Sequence, residues 1–421
     1  MDIKAPKSHA HVRAYAGLYE RGVEDAAFLW LLRSIVIDQP HYYMADLYEL
    51  EQRLDAQLDL LMSSLELGWE ACEASLDLQQ PGEIFTATVV ALRSHDVEKI
   101  QKAIQAGLAA KQAFEGLVSA LGWLPAESVQ PWITRLLKGK EMGHKYLGVA
   151  GCSVRREDPG EILADILRRE DCRQHLPLQT RALRLVGELR RQDLMPALLT
   201  NLGNKNPGIS FWANWSAVLL GQHTLVENLR PFVFRPGPHQ ARAIQLAFRV
   251  LPVEQGREWI SVLAKNPENL RAVVTATGVL GDPHAVNWLI SRMSESGQAR
   301  LAGEAFTFIT GIDLEKHKLS TPALQDQTPI PNDDTNDHNT SLDADENLPW
   351  PQAQQVAALW RNHGQHFLVG HRYFLGKAIT PEWLKTKLQE SPQRQRHAAA
   401  LELALIDPSE RLINTRARAM A

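Results

Sequence analysis

A turn that returns at nearly constant spacing constrains this chain more than any other feature. Four segments join the end of an apolar stretch to a turn: Leu219-Leu220-Gly221-Gln222, Val250-Leu251-Pro252-Val253, Val279-Leu280-Gly281-Asp282 and Ile309-Thr310-Gly311-Ile312. Their third positions lie 31, 29 and 30 residues apart. Before three of the turns, small-to-apolar residues recur four apart: Ala243, Ala247 and Leu251; Ala272, Ala276 and Leu280; Ala302, Phe306 and Thr310. Residues four apart stack on one helical face, and small ones let a neighbouring helix come close. A second apolar stretch follows the turn, as in Trp259–Leu263 or Ala285–Ile290. Each unit therefore reads helix, turn, helix, and neither helix can bury its apolar face without the next unit. The expected fold class is all-α, an α-solenoid of helical repeats about 30 residues long.

The same grammar extends outward. Arg181–Leu189 with Leu194–Leu199 reads as a unit, Asp158-Pro159 repeats the Asp282-Pro283 turn chemistry, and His397–Leu405 before Asp407-Pro408 reads as one more helix and turn. Near the N-terminus Leu47, Leu50, Leu54, Leu58, Leu61 and Leu65 form a stripe at helical spacing on one long helix, assigned to the core because six positions are too few to favour a coiled coil. Residues 319–349 break the pattern: Pro322, Pro329, Pro331 and Pro349 are interspersed with Asn, Asp, Thr and Ser, which marks a long exposed loop. The expected organisation is an N-terminal helical region at 1–140, a repeat array at 141–318, the acidic loop at 319–349 and a C-terminal helical region at 350–421.

A formal charge of −4 excludes a global field that would gather nucleic acid or an anionic membrane, so direct contact with either is not expected. The charge is instead uneven, because the loop carries seven acidic residues and no Lys or Arg, leaving the rest slightly basic. Cys72, Cys152 and Cys172 show neither C-x-x-C nor ligand spacing, which points to reduced thiols rather than disulfides or zinc. With no signal-peptide pattern at the start and Arg33 interrupting the best apolar run, a cytoplasmic location is expected.

Motifs for chemistry are scarce. Gly203–Gly208 has the spacing of a phosphate loop, but Ile209-Ser210 stands where Lys-Ser/Thr is required, so it reads as a turn. G-x-S-x-G, H-E-x-x-H and S-x-x-K schemes are absent. His363, His366 and His371 cluster around Gly364 and Gly370 with no Cys or carboxylate at ligand spacing, and read as turn residues. Asp333-x-Thr335-x-Asp337 alternates oxygens like a calcium loop, yet His338 replaces the turn glycine and no closing Glu follows. Neither a metal nor a cofactor is expected, and no catalytic residue is assigned. For the acidic segment two readings stand: a solvated linker, or carboxylates that enter a basic groove on a partner and imitate a phosphate backbone. The candidate partner-binding residues are Asp333, Asp334, Asp337, Asp343, Asp345, Glu346 and Trp350, the last either anchoring the loop or facing the partner.

These repeats with their acidic interruption resemble a proteobacterial family of HEAT-like repeat proteins encoded beside type VI secretion spike genes. The stretch that carries the resemblance best is Ala299–Leu314, followed by Leu348–Pro351, Gly370–Gly376 and Gln395–Leu405. The resemblance implies no catalytic residues. It implies a neighbourhood of spike, adaptor and toxin genes, and hence an immunity protein that binds a cognate toxin, such as a nuclease with a spike-tip domain. An adaptor that loads an effector onto the spike is the alternative. An enzyme of the HEAT-like lyase type finds no constellation of His, Cys and carboxylates to support it.

Overall fold

The computed structural model describes residues 8–321, 343–407 and 411–419, with side chains from residue 16 onward. Among these residues the protein is all-α, with only two short two-stranded ladders. The helices are α1 (Ser8–Val36), α2 (Met44–Ser63), α3 (Leu65–Ser75), α4 (Pro81–Ser94), α5 (Val97–Ala109), α6 (Phe114–Trp123), α7 (Ala126–Lys138), α8 (Met142–Arg155), α9 (Glu161–Arg168), α10 (Glu170–Gln174) and α11 (Leu176–Glu188). They continue with α12 (Met195–Leu199), α13 (Pro207–Leu219), α14 (Arg230–Phe234), α15 (Gln240–Val250), α16 (Val253–Leu263), α17 (Leu270–Leu280), α18 (Val286–Arg292), α19 (Ala299–Thr310), α20 (Ala353–His363), α21 (Pro381–Glu390) and α22 (Gln393–Ile406). Two compact units result, one holding Tyr42–Leu189 with the two chain ends, the other Arg190–Ile413 with Gln39–His41.

In the first unit α1 lies along α2 and α4. Leu47, Leu50, Leu54, Leu58 and Leu61 all face the core, each contributing about 1.5–3 kcal/mol by burial. The stripe does not reach Leu65 on one helix, because the chain leaves helical geometry at Ser64 (φ −137°, ψ 95°) and restarts as α3. Helix starts follow local chemistry: the Asp96 carboxylate accepts from the Glu98 and Lys99 amides to begin α5. α8 packs against α6, α7 and α11, so residues 141–189 belong with the N-terminal helices. The first compact unit accordingly runs on to Leu189.

In the second unit the recurrent turns land on helix ends. Gly221, Gly281 and Gly311 follow α13, α17 and α19 with positive φ, while Pro252 initiates α16. α17 packs between α15 and α19, α16 against α17, and α18 against α19. Phe306 and Ile309, both wholly buried, sit in the cluster that α18, α19 and α20 share.

The segment Gly370–Gly376 crosses the ends of this row. Tyr373 N–H donates to Gly281 O at 2.8 Å, Leu375 N–H to Phe308 O at 2.7 Å and Gly376 N–H to Ile309 O at 3.1 Å. The Arg372 guanidinium donates to Arg249 O at 2.7 Å and Leu280 O at 3.2 Å, at the ends of α15 and α17. One short segment thus satisfies carbonyls that three helix C-termini leave without intrahelical donors.

Candidate functional site

The described residues that flank the acidic segment form a clamped base in the second unit. Ser320–Thr321 pairs antiparallel with Trp350–Pro351, and Gln352 closes the ladder with N–H to Leu319 O at 2.7 Å and Nε2 to Ser320 O at 3.0 Å. Trp350 is half-buried, with the Arg300 guanidinium 4.7 Å from its ring centroid.

Two of the candidate carboxylates already have partners within the chain. Asp345, only 7% exposed, takes a two-pronged contact from Arg271 at 2.5 and 2.9 Å. Arg300 donates to Asp343 at 2.5 Å. Burial would raise the Asp343 carboxyl, but the Asp345 amide and Arg300 hold it below its ordinary range. Arg394 bonds the Ala344 carbonyl and bridges to Glu304 at 3.0 and 3.1 Å. Asp343 and Asp345 are therefore engaged within the second unit, and the exposed Glu346 stands next to them. Asp333, Asp334 and Asp337, with the calcium-like spacing around them, lie outside the described residues.

A second concavity, of about 750 Å³, lies wholly within the first unit. Arg181 and Arg184 of α11 line it, Glu188 lies buried one turn further along the same helical face, and Ala182, Leu183 and Val186 face the core. Glu188 is fully buried and is held by Arg184 Nε at 2.7 Å, Arg156 at 3.2 Å and the Ser153 hydroxyl. Burial alone would push the Glu188 carboxyl up, but Arg184, Arg156 and Arg181 outweigh it and hold it below its ordinary range.

Arg181 has no such partner. Its Nε is buried without a hydrogen bond, and the guanidinium makes no ion pair among the described residues. Burial lowers it to about 10, Arg184 adds to that by repulsion and Glu188 opposes, so it stays charged at neutral pH. The other walls carry paired cations: Arg33 on Glu51 at 2.7 Å, Arg416 on Asp38 at 2.6 Å, and Arg418 on Asp55 with its guanidinium 4.2 Å over Trp123. Phe114 and Tyr146 stack at 4.4 Å and 3° on one side. His175 Nδ1 accepts the Leu178 amide, which leaves Nε2 to carry the proton of the neutral ring.

Because the folded Glu188 carboxyl titrates below 4.5, its contribution to stability is complete above that pH and is lost as the pH falls through the folded value. Glu188→Gln is expected to flatten the loss of stability as the pH falls below 4.5 while destabilising the neutral protein. Urea titrations at stepped pH check this, and parallel curves for the two proteins would refute it.

The remaining sequence candidates carry less. His363 and His366 are 6.4 Å apart between ring centroids, and among the described residues no three His, Cys, Asp or Glu groups converge to hold a metal. Asn206 spends its side chain on the Gly208 and Ile209 amides at the start of α13, the place where a phosphate loop would bind. All three cysteines are free and buried, with Cys72 and Cys152 pushed up to about 12 chiefly by burial. No helix among the described residues is long and apolar enough to cross a membrane.

No protein-family model matches the chain, and a comparison with curated proteins finds no match. The cationic cavity was missed by sequence reasoning, although Arg181-x2-Arg184-x3-Glu188 is a charged stripe on one helical face. That stripe was visible; the Arg156, Tyr146 and Arg416 that meet it come from other segments.

Proposed function

We propose that this protein is an immunity protein that binds a cognate type VI secretion toxin in the producer's cytoplasm and occludes its active site or substrate channel. We further propose that the row α15, α17 and α19 is part of an α-solenoid of HEAT-like repeats, whose outer surface supplies the broad contact area. Inhibition by occupation needs no chemistry, only a large interface that dissociates slowly.

The observation that carries this reading is the clamped base of the acidic loop. A ladder, Gln352 and the pairs of Asp343 and Asp345 fix both ends of a segment that holds many carboxylates and no cation. A tethered anionic loop suits a basic groove, such as the one a nuclease offers to a phosphate backbone.

The experiment spares the two carboxylates that hold the anchor. Reversing Asp333, Asp334, Asp337 and Glu346 to Lys, with Asp343 and Asp345 kept to preserve the anchor, is expected to weaken the co-purified toxin complex by about tenfold or more and to flatten its salt dependence. Thermal stability should stay within about 2 °C of the parent, since the anchoring pairs of Asp343 and Asp345 are kept. Undiminished affinity with an unchanged salt slope would leave the loop as a linker and remove the support it lends.

A further inference from the structure

The Arg181 cavity calls for an anion. A guanidinium buried beside two others, with its Nε unsatisfied and no carboxylate of its own, costs folding free energy unless something compensates it. Glu188, the carboxylate it feels, is already held by Arg184, Arg156 and Ser153. The α11 N-terminus also opens on the cavity through His175 and Pro177, which adds the positive end of a helix dipole of 13 residues.

The cavity is also the wrong shape for a bare ion. At about 750 Å³ it has the size of an organic-ligand site, and Phe114, Tyr146 and Trp30 give it flat aromatic walls. Guanidinium forks match phosphate oxygens two at a time, and aromatic faces accept any planar ring with little regard to its substituents. A carboxylate ligand would satisfy one charge; a phosphate monoester brings a second and leaves its ring for the wall.

We propose that the first unit binds a phosphate monoester of a planar ring compound, of which a nucleoside monophosphate is the type, with the phosphate on Arg181 and Arg184 and the ring against the Phe114–Tyr146 side. The site lies within one unit and rests on no part of the toxin reading. Its failure would leave that reading untouched.

Calorimetric titration of the full chain with 5′-AMP, inorganic phosphate and adenosine tests it. The expected result is saturable binding of one AMP per chain, at least about tenfold tighter than either phosphate or adenosine, because only AMP engages both parts. Arg181→Gln should weaken AMP binding by about tenfold or more while leaving the thermal midpoint of the free protein unchanged or raised, since it removes an uncompensated buried charge. If Arg181→Gln does not fold, Arg181→Lys keeps the charge without the planar fork and should weaken AMP by about fivefold. Absence of AMP binding, AMP no tighter than phosphate, or affinity indifferent to the foldable Arg181 variant would overturn the proposal.

Discussion

Replacing Glu402 with alanine is expected to lower the stability of the second unit by about 3–5 kcal/mol, the cost of removing one partner from a buried ionic cluster. Glu402 and Arg249 are 1% and 6% exposed, and Arg372 completes the cluster with contacts of 2.9 Å to both carboxylate oxygens. Arg249 Nε approaches at 3.0 Å without hydrogen-bond alignment, so that contact is an ion pair alone. Burial already lowers Arg249 to about 10, with Glu402 opposing; without the carboxylate its charge has no counterion in this cluster. The damage would spread, because Arg372 is also the side chain that caps α15 and α17. In a scanning-fluorimetry comparison the midpoint should fall by roughly 10 °C, with Glu402→Gln intermediate. A midpoint within about 2 °C of the parent would show that the cluster contributes little to stability.

Gly281→Ala is expected to cost about 2–4 kcal/mol, combining a strained left-handed backbone with a steric clash. Gly281 has φ +72°, and a Cβ there would sit 2.3 Å from Tyr373 O, on the backbone of the segment that crosses the helix ends. Gly311 is placed alike, with Leu375 O at 2.5 Å. Gly221 is the control: its φ is +99° but nothing lies within 4 Å of its Cβ position. Gly221→Ala should therefore cost only the backbone strain, about 1 kcal/mol. Equal losses for the two alanine variants in urea unfolding would mean that segment 370–376 yields, and that its hold on the row is weak.

Much of the helical framework is legible in local sequence. The spacing of Gly221, Pro252, Gly281 and Gly311 marks the ends of helices or their restarts, and the Leu47–Leu61 stripe predicts its own burial. Trp212, Trp215 and Trp259 are buried, and Trp288 packs half-buried on the second unit's core. The misreading at Leu65 shows the limit: apolar spacing continues across Ser64 although the helix does not, because a stripe records which residues face the core and not whether one helix carries them. The end of the first compact unit at Leu189 leaves no mark of its own, since the grammar of turns runs on unbroken through residues 141–189.

What the sequence settled by itself is the helical class, the turns and the apolar faces, all properties of residues within about a helical turn or two of one another. What only tertiary structure decided is which charges meet. Arg418 reaches Asp55 across 363 positions, Arg372 reaches Arg249 O across 123, and the Arg181 cavity gathers α1, α6, α8, α11 and residues 414–418. Electrostatic energy depends on distance in space and on burial, neither of which leaves a period in the chain, so the same arginine reads alike whether it is paired, capping or waiting for an anion.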